Sequence, residues 1–478
     1  MSDLVGTNTI NRTQAYLDFV DIPLDTDLAV FLDPNAIKSL DSSWGNELSS
    51  FLQSFFETVL KLIKKGENPR AKKLLASLNE GNEFHLGYSV GKSRGHGFGD
   101  ESADSVWDAL TKSKAATSGL LQDLEDTALL IHGIGTDMIS DAVCNILRRS
   151  LIKYTQDMCR YYGIPLTPNV ASGPLWNPQK EIWENEFVDL PMTNYGKVIL
   201  VPKILVRSRL SFQYDEYYRY YLLPQMQSEH LRNQTSLVET LKNGSQRVTK
   251  KALMDKYGKD KLAVVEQTIL KPYVLDEYRE AKADSPSSPL SHEQFSELEH
   301  IDKPDLEELL SQLKALPVGR DTAEAYEDII EKILSVVLYP SLCNPTKQHK
   351  IHDGRKRIDI TYTNEAKGGF FYWLAMHYPA PHIFVECKNY GKEVANPEVD
   401  QLSGRFSPSR GKVGVLICRS IENKELLYKR CVDTAQDQRG FIIALDDRDL
   451  ECLVKEYIDS QGSQEFALLR EYWKQLVN

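Results

Sequence analysis

RKRIDITYTNEAKGGFFYWLAMHYPAPHIFVECKNYGKEVANPEVDQ, Arg355 to Gln401, decides how the rest of this chain is read. Two short apolar runs inside it carry charge. Ile358-Asp359-Ile360 holds one carboxylate, and Ile383-Phe384-Val385-Glu386-Cys387-Lys388 holds a carboxylate and an amine. Both runs have the β-branched and aromatic character of strands. Side chains alternate along a strand, so Glu386 and Lys388 face the same side. A charge on an otherwise buried sheet is costly unless something satisfies it. A cation or a phosphate would do so, and both residue types are present.

Working outward, Asp321 to Leu338 predicts a helix, capped by Asp321 or Thr322, with an apolar stripe through Ile329, Ile330, Ile333, Leu334 and Val337. Pro340 ends it. A basic run from Lys347 to Arg357 leads into the Asp359 strand, and Val413 to Cys418 predicts a third strand. A helix over Asn423 to Gln436, a strand over Gly440 to Leu445 and terminal helices complete the pattern. The fold class expected for this region is α/β, a mixed central sheet flanked by helices.

This order of charged strands and helices resembles the restriction-endonuclease-like PD-(D/E)xK nucleases. Asp359 stands at the first acid of their motif, and Glu386-Cys387-Lys388 at the E-x-K. Glu327 resembles the acid that many such enzymes add from the preceding helix, and Gln401 the glutamine that follows the E-x-K strand in several subfamilies. The likeness spans about Asp321 to Leu450. It departs from the motif at Ile358, where a proline is usual, and at Arg405, where a Q-x-x-x-Y pattern would have tyrosine. The resemblance implies a Mg²⁺ (or Mn²⁺) ion held by Asp359, Glu386, the Cys387 backbone carbonyl and Glu327. Lys388 would orient water and phosphate, with Gln401 also in the catalytic set. Lys350, Arg355, Arg357 and Arg405 are the expected nucleic-acid contacts. It further implies an endonuclease acting on DNA rather than RNA, in a restriction or phage-defence setting. A homodimer, or a partner protein held by the N-terminal region, is compatible with that role. The alternative is a non-catalytic nuclease-fold module that binds nucleic acid or protein.

The 478 residues suit more than one core, with 41% hydrophobic and 26% charged residues typical of a soluble globular chain. Residues 1–282 read as a helix-rich α+β region of unassigned role, 283–303 as a linker around ADSPSSPLS, and 304–478 as the nuclease-like domain. In the first region, Leu28 to Ile37 and Val198 to Val206 read as extended, and Glu47 to Lys65 as an amphipathic helix. Phe84 to Ala103 is glycine-rich, but Gly87 and Gly91-Lys92-Ser93 miss the phosphate-loop spacing, so a surface loop is expected. Tyr214 to Tyr221 (YDEYYRYY) reads as a packed, partly exposed aromatic helix, and Arg247 to Lys251 is a basic cluster. Seven cysteines without C-x-x-C spacing fit reduced thiols in a cytoplasm rather than a zinc site or a disulfide framework. The net charge of −11 excludes a general polyanion binder but not a local basic face. No run is apolar enough for a membrane span, and MSDLVGTNTI lacks a signal's apolar segment.

Overall fold

A computed structural model describes residues 12–22, 28–78, 81, 83–87, 109–301, 303–351, 356–391 and 394–477, with the side chains of 348–351 and 356–358 left out. Much of the glycine-rich stretch from Phe84 to Ala103 therefore lies outside the described residues. The protein is mixed α/β, and no helix among the described residues is long and apolar enough to cross a membrane.

The C-terminal region is built on five strands: β1 (Leu342–Ile351), β2 (Lys356–Asn364), β3 (His382–Lys388), β4 (Val413–Cys418) and β5 (Phe441–Asp446). They lie side by side in chain order. β1 pairs antiparallel with β2 and β2 with β3; β3, β4 and β5 run parallel. The switch has a local cause. β1 and β2 follow each other directly in the chain, whereas β3 to β4 and β4 to β5 each need a helical crossover. Every residue of β4 is buried, as expected of a central parallel strand covered on both faces.

The helix Leu306–Ala315 packs in the same cluster, and six further helices of the unit follow: α1 (Ala323–Val337), α2 (Gly369–His377), α3 (Asn396–Ser403), α4 (Lys424–Gln436), α5 (Asp447–Asp459) and α6 (Ala467–Val477). α1 buries Ile330, Ile333, Leu334 and Val337 of the expected stripe together with Tyr326, while Ile329 is half-buried. The aromatic run Phe370–Trp373 forms α2, with Phe370 and Phe371 buried as core.

Two expectations from sequence differ. The basic run from Lys347, read only as an approach to the Asp359 strand, is itself part of strand β1, and its hairpin with β2 is the sheet's antiparallel edge. Val198–Val206 is largely irregular, with a 3₁₀ turn at Lys203–Leu205 and a two-residue strand at Val206–Arg207. Pro202 explains this, because it cannot donate to a ladder.

The buried apolar residues form two clusters. One runs from Leu17 to Phe295 with Cys343, and the other from Leu306 to Leu476 with Ala15. The segment 285–291, near the end of the first cluster's span, is packed rather than free. Arg207 donates to the carbonyl and hydroxyl of Ser287, and Tyr339 Oη donates to Leu290 O at 3.0 Å. Residues 12–22 also tie the halves together. Arg12 pairs with buried Glu331 of α1, and Asp18 takes a bond from the Asn344 N–H at 3.0 Å and from Tyr154 Oη at 2.7 Å. A cavity of about 870 Å³ opens between the clusters, lined by Ile204, Leu290, Tyr339 and Gly369 among others.

Candidate active site

Asp359 and Glu386 meet where the antiparallel and parallel parts of the sheet join. Ile360 pairs with Val385, which puts Asp359 opposite Glu386 on the same face one step further along. The Cys387 N–H donates to Asp359 Oδ2 at 2.8 Å. Lys388, two residues on, returns to that face and donates to Glu386 Oε1 at 2.6 Å. Glu386 is 1% and Lys388 9% exposed, so their pairing takes place away from bulk water.

Glu327 comes from α1. The last turn before that helix is clipped to the end of β3 by Asn389, whose Nδ2 donates to the carbonyls of Pro317 and Gly319 and to Thr322 Oγ1. On α1 itself Tyr326 Oη donates to Asp447 Oδ1 of α5 at 2.8 Å, with Arg419 over its ring. These contacts fix the helix so that Glu327 lies within the electrostatic influence of Asp359 and Glu386. Among the described residues Glu327 Oε1 is buried without a hydrogen bond, with Lys347 Nζ 3.8 Å away. Lys347 gives its closer contact, 2.7 Å, to Asp328.

The electrostatics follow from crowding. Burial, and then the Glu386 charge, push Asp359 up to about 6. Burial, and then Asp359, push Glu327 up to about 7. Burial works against the charge on Lys388, but Glu386 holds it above the ordinary lysine range. Asp359 and Glu327 each carry an excess of negative potential that a cation would relieve.

The remaining expected residues are placed differently. Arg405 is buried and paired with Glu386 Oε2, instead of facing outward to a phosphate. Helix α3 ends in a turn at Gly404, and from that turn the Arg405 guanidinium reaches Glu386. Gln401 is on the exposed side of α3. The backbones of Lys350 and Arg357 pair in the β1–β2 hairpin, their side chains are not described, and Arg355 lies outside the described residues. None of Asp359, Glu386, Lys388 or Glu327 lines the large cavity between the clusters.

Sequence reasoning missed three contributors: Arg405 as a partner of Glu386, Asn389 as the clip, and Glu331, fully buried one turn beyond Glu327. Only Asn389 had a local signal, since it directly follows the E-x-K.

The donor set was tested for a hard divalent ion. Half-buried Asp359 and Glu327, both with raised proton affinity, buried Glu386 and an unsatisfied Glu327 oxygen suit such an ion. Among the described residues, no three acidic, histidine or cysteine side chains already enclose a point. Both oxygens of Glu386 are occupied by cations, so Arg405 or Lys388 must give way for Glu386 to ligate.

Residues 9–213 match a family described as a domain of unknown function, DUF8370, a match that ends before the five-stranded sheet begins. No curated protein and no solved structure matches the chain.

Proposed function

We propose that the chain is a metal-dependent phosphodiesterase, an endonuclease of the PD-(D/E)xK type, cutting nucleic acid and DNA above all. On this reading the five-stranded sheet is restriction-endonuclease-like. The observation that carries it is the placing of Asp359 opposite Glu386, with Lys388 on the same buried face. Asp359, Glu386, the Cys387 carbonyl and Glu327 would hold Mg²⁺ or Mn²⁺, which neutralises phosphate charge and activates water when bound. Lys388 has three donors and no acceptor, so as an ammonium it orients water and phosphate and offsets charge on the transferring group. Asn389 and Tyr326 keep Glu327 in place by fixing α1. A restriction or phage-defence role is what the likeness to these nucleases suggests.

The test is incubation of the purified chain with linear, circular and single-stranded DNA and with RNA, in Mg²⁺ and in EDTA. Cleavage is expected in Mg²⁺ only. Asp359→Ala, Glu386→Ala and Lys388→Ala should each lower it about a hundredfold or more. Unchanged cleavage in all three variants would sink the proposal.

A second reading rests on one specific observation. Glu386 is already neutralised by Lys388 and Arg405, as a retired site would have it. The chain would then be a nuclease-fold module that binds nucleic acid or protein without cutting. It predicts no cleavage with any divalent ion.

A further inference from the structure

The N-terminal half carries a basic, aromatic face that the nuclease reading does not use. Lys242 to Lys261 contains seven Lys and Arg against two Asp, in a chain whose net charge is −11. The stretch includes the helix Lys250–Tyr257, which lies beside the π-helical turn Tyr217–Leu222. Three bonds join the segment 214–222 to the segment 250–259. Lys250 Nζ donates to Arg219 O at 2.6 Å, Tyr218 Oη to Gly258 O at 2.7 Å, and Tyr214 Oη to Lys259 O at 2.7 Å. The π-turn buries Tyr217, Tyr218 and Leu222 and leaves Arg219 and Tyr220 in solvent. Such turns are rare and cost hydrogen-bond geometry.

Tyr220 is 69% exposed, with Lys250 Nζ 5.2 Å from its ring centre. Arg247 and Arg219 have acidic partners, Glu239 at 3.2 Å and Asp215 at 3.4 Å. Lys242, Lys251, Lys256 and Lys259 are exposed and, among the described residues, enter no ion pair. A solvated helix face explains lysines. It does not explain a large aromatic ring held outward against Lys250 by an unusual turn.

We propose that this face binds single-stranded nucleic acid, with phosphates on the four unpaired lysines and a base on Tyr220. The charge excess selects a polyanion. The open ring selects one with free base faces, which a duplex keeps stacked on one another. The proposal does not depend on the nuclease reading, because no residue of the Asp359 site takes part.

Fluorescence anisotropy of a labelled single-stranded oligonucleotide with the full chain in EDTA tests it without cleavage. Binding should weaken with salt, with a log–log slope near −3, as about four phosphate contacts would give. The quadruple variant Lys242→Glu, Lys251→Glu, Lys256→Glu and Lys259→Glu should lose at least tenfold in affinity and keep its melting temperature, since all four side chains are exposed. Tyr220→Ala should lose about fivefold or more on single strands and nothing on duplex, and Tyr220→Phe should restore binding. Cleavage in Mg²⁺ is assayed alongside for each surface variant, so loss of cleavage and loss of this surface are read separately. No binding by wild type, or undiminished binding by the quadruple variant, would overturn the assignment. Equal losses on duplex and single strand in Tyr220→Ala would overturn the stacking part.

Discussion

Both oxygens of Glu386 are taken, one by Lys388 and the other by Arg405. A buried carboxylate held this way exchanges partners rather than gaining them. Arg405→Gln should therefore lower the melting temperature of the metal-free protein and enlarge the upward shift that Mg²⁺ produces. A Mg²⁺ shift identical to wild type would mean that Glu386 does not ligate. The crowded acids make a second prediction. An acid whose folded pKa is raised holds its proton better when folded, so its contribution to stability is complete below about pH 4. That contribution is lost as pH rises through about 6 for Asp359 and about 7 for Glu327. Asp359→Asn should thus stabilise the metal-free protein at pH 8, by up to about 3 kcal/mol, and change little at pH 4. Denaturant titrations at the two pH values check this. Asp359, Glu386 and Lys388 were legible in the sequence because strand alternation fixes their face from local order alone. Arg405 was not, because its direction depends on how the chain turns at Gly404.

At the scale of elements, legibility tracks apolar continuity. β4 is an unbroken apolar run, β3 and β5 have apolar stretches at Ile383–Val385 and Phe441–Leu445, and each is where its sequence predicts a strand. β1 is mostly polar and basic with Pro345 inside it, and its strand character comes from pairing with β2. Its identity is a tertiary fact, so local propensity had no access to it. A single glycine links one of these elements to the site. Gly440, just before β5, has φ +124, and a Cβ there would lie 2.2 Å from Phe406 Cδ2. Phe406 follows Arg405 in the chain. Gly440→Ala should cost about 1–3 kcal/mol through backbone strain and overpacking. It should also displace Arg405, so its Mg²⁺ shift should move toward that of Arg405→Gln. Melting curves with and without Mg²⁺ would show it. A shift equal to wild type would mean that Phe406 yields without moving its neighbour.

Across the whole molecule, charge is buried where the two apolar clusters meet. Arg12 offsets Glu331 inside α1, and burial still pushes the Glu331 carboxyl upward. Arg12→Met alone leaves an uncompensated buried carboxylate and should cost about 3–5 kcal/mol. Adding Glu331→Leu should recover most of it, and a double-mutant cycle on unfolding free energies measures the coupling. An additive cycle would show that the pair does not hold the halves together. The proline–serine stretch near residue 285 was legible as a break, but its bonds to Arg207 were not, since those partners are remote in sequence.

The same joint has a consequence in time. Asp18 and Asn344 are 326 positions apart, so on a ribosome one waits for the other. At ordinary elongation rates the delay is roughly 15–60 s. Leu17 and Phe19 belong to the first cluster, while Ala15 belongs to the second. The first half can therefore close over part of this segment early, while Arg12 stays without its carboxylate until α1 emerges. Protease pulses on stalled nascent chains should cut near Arg12 before residue 331 is made and spare it afterward.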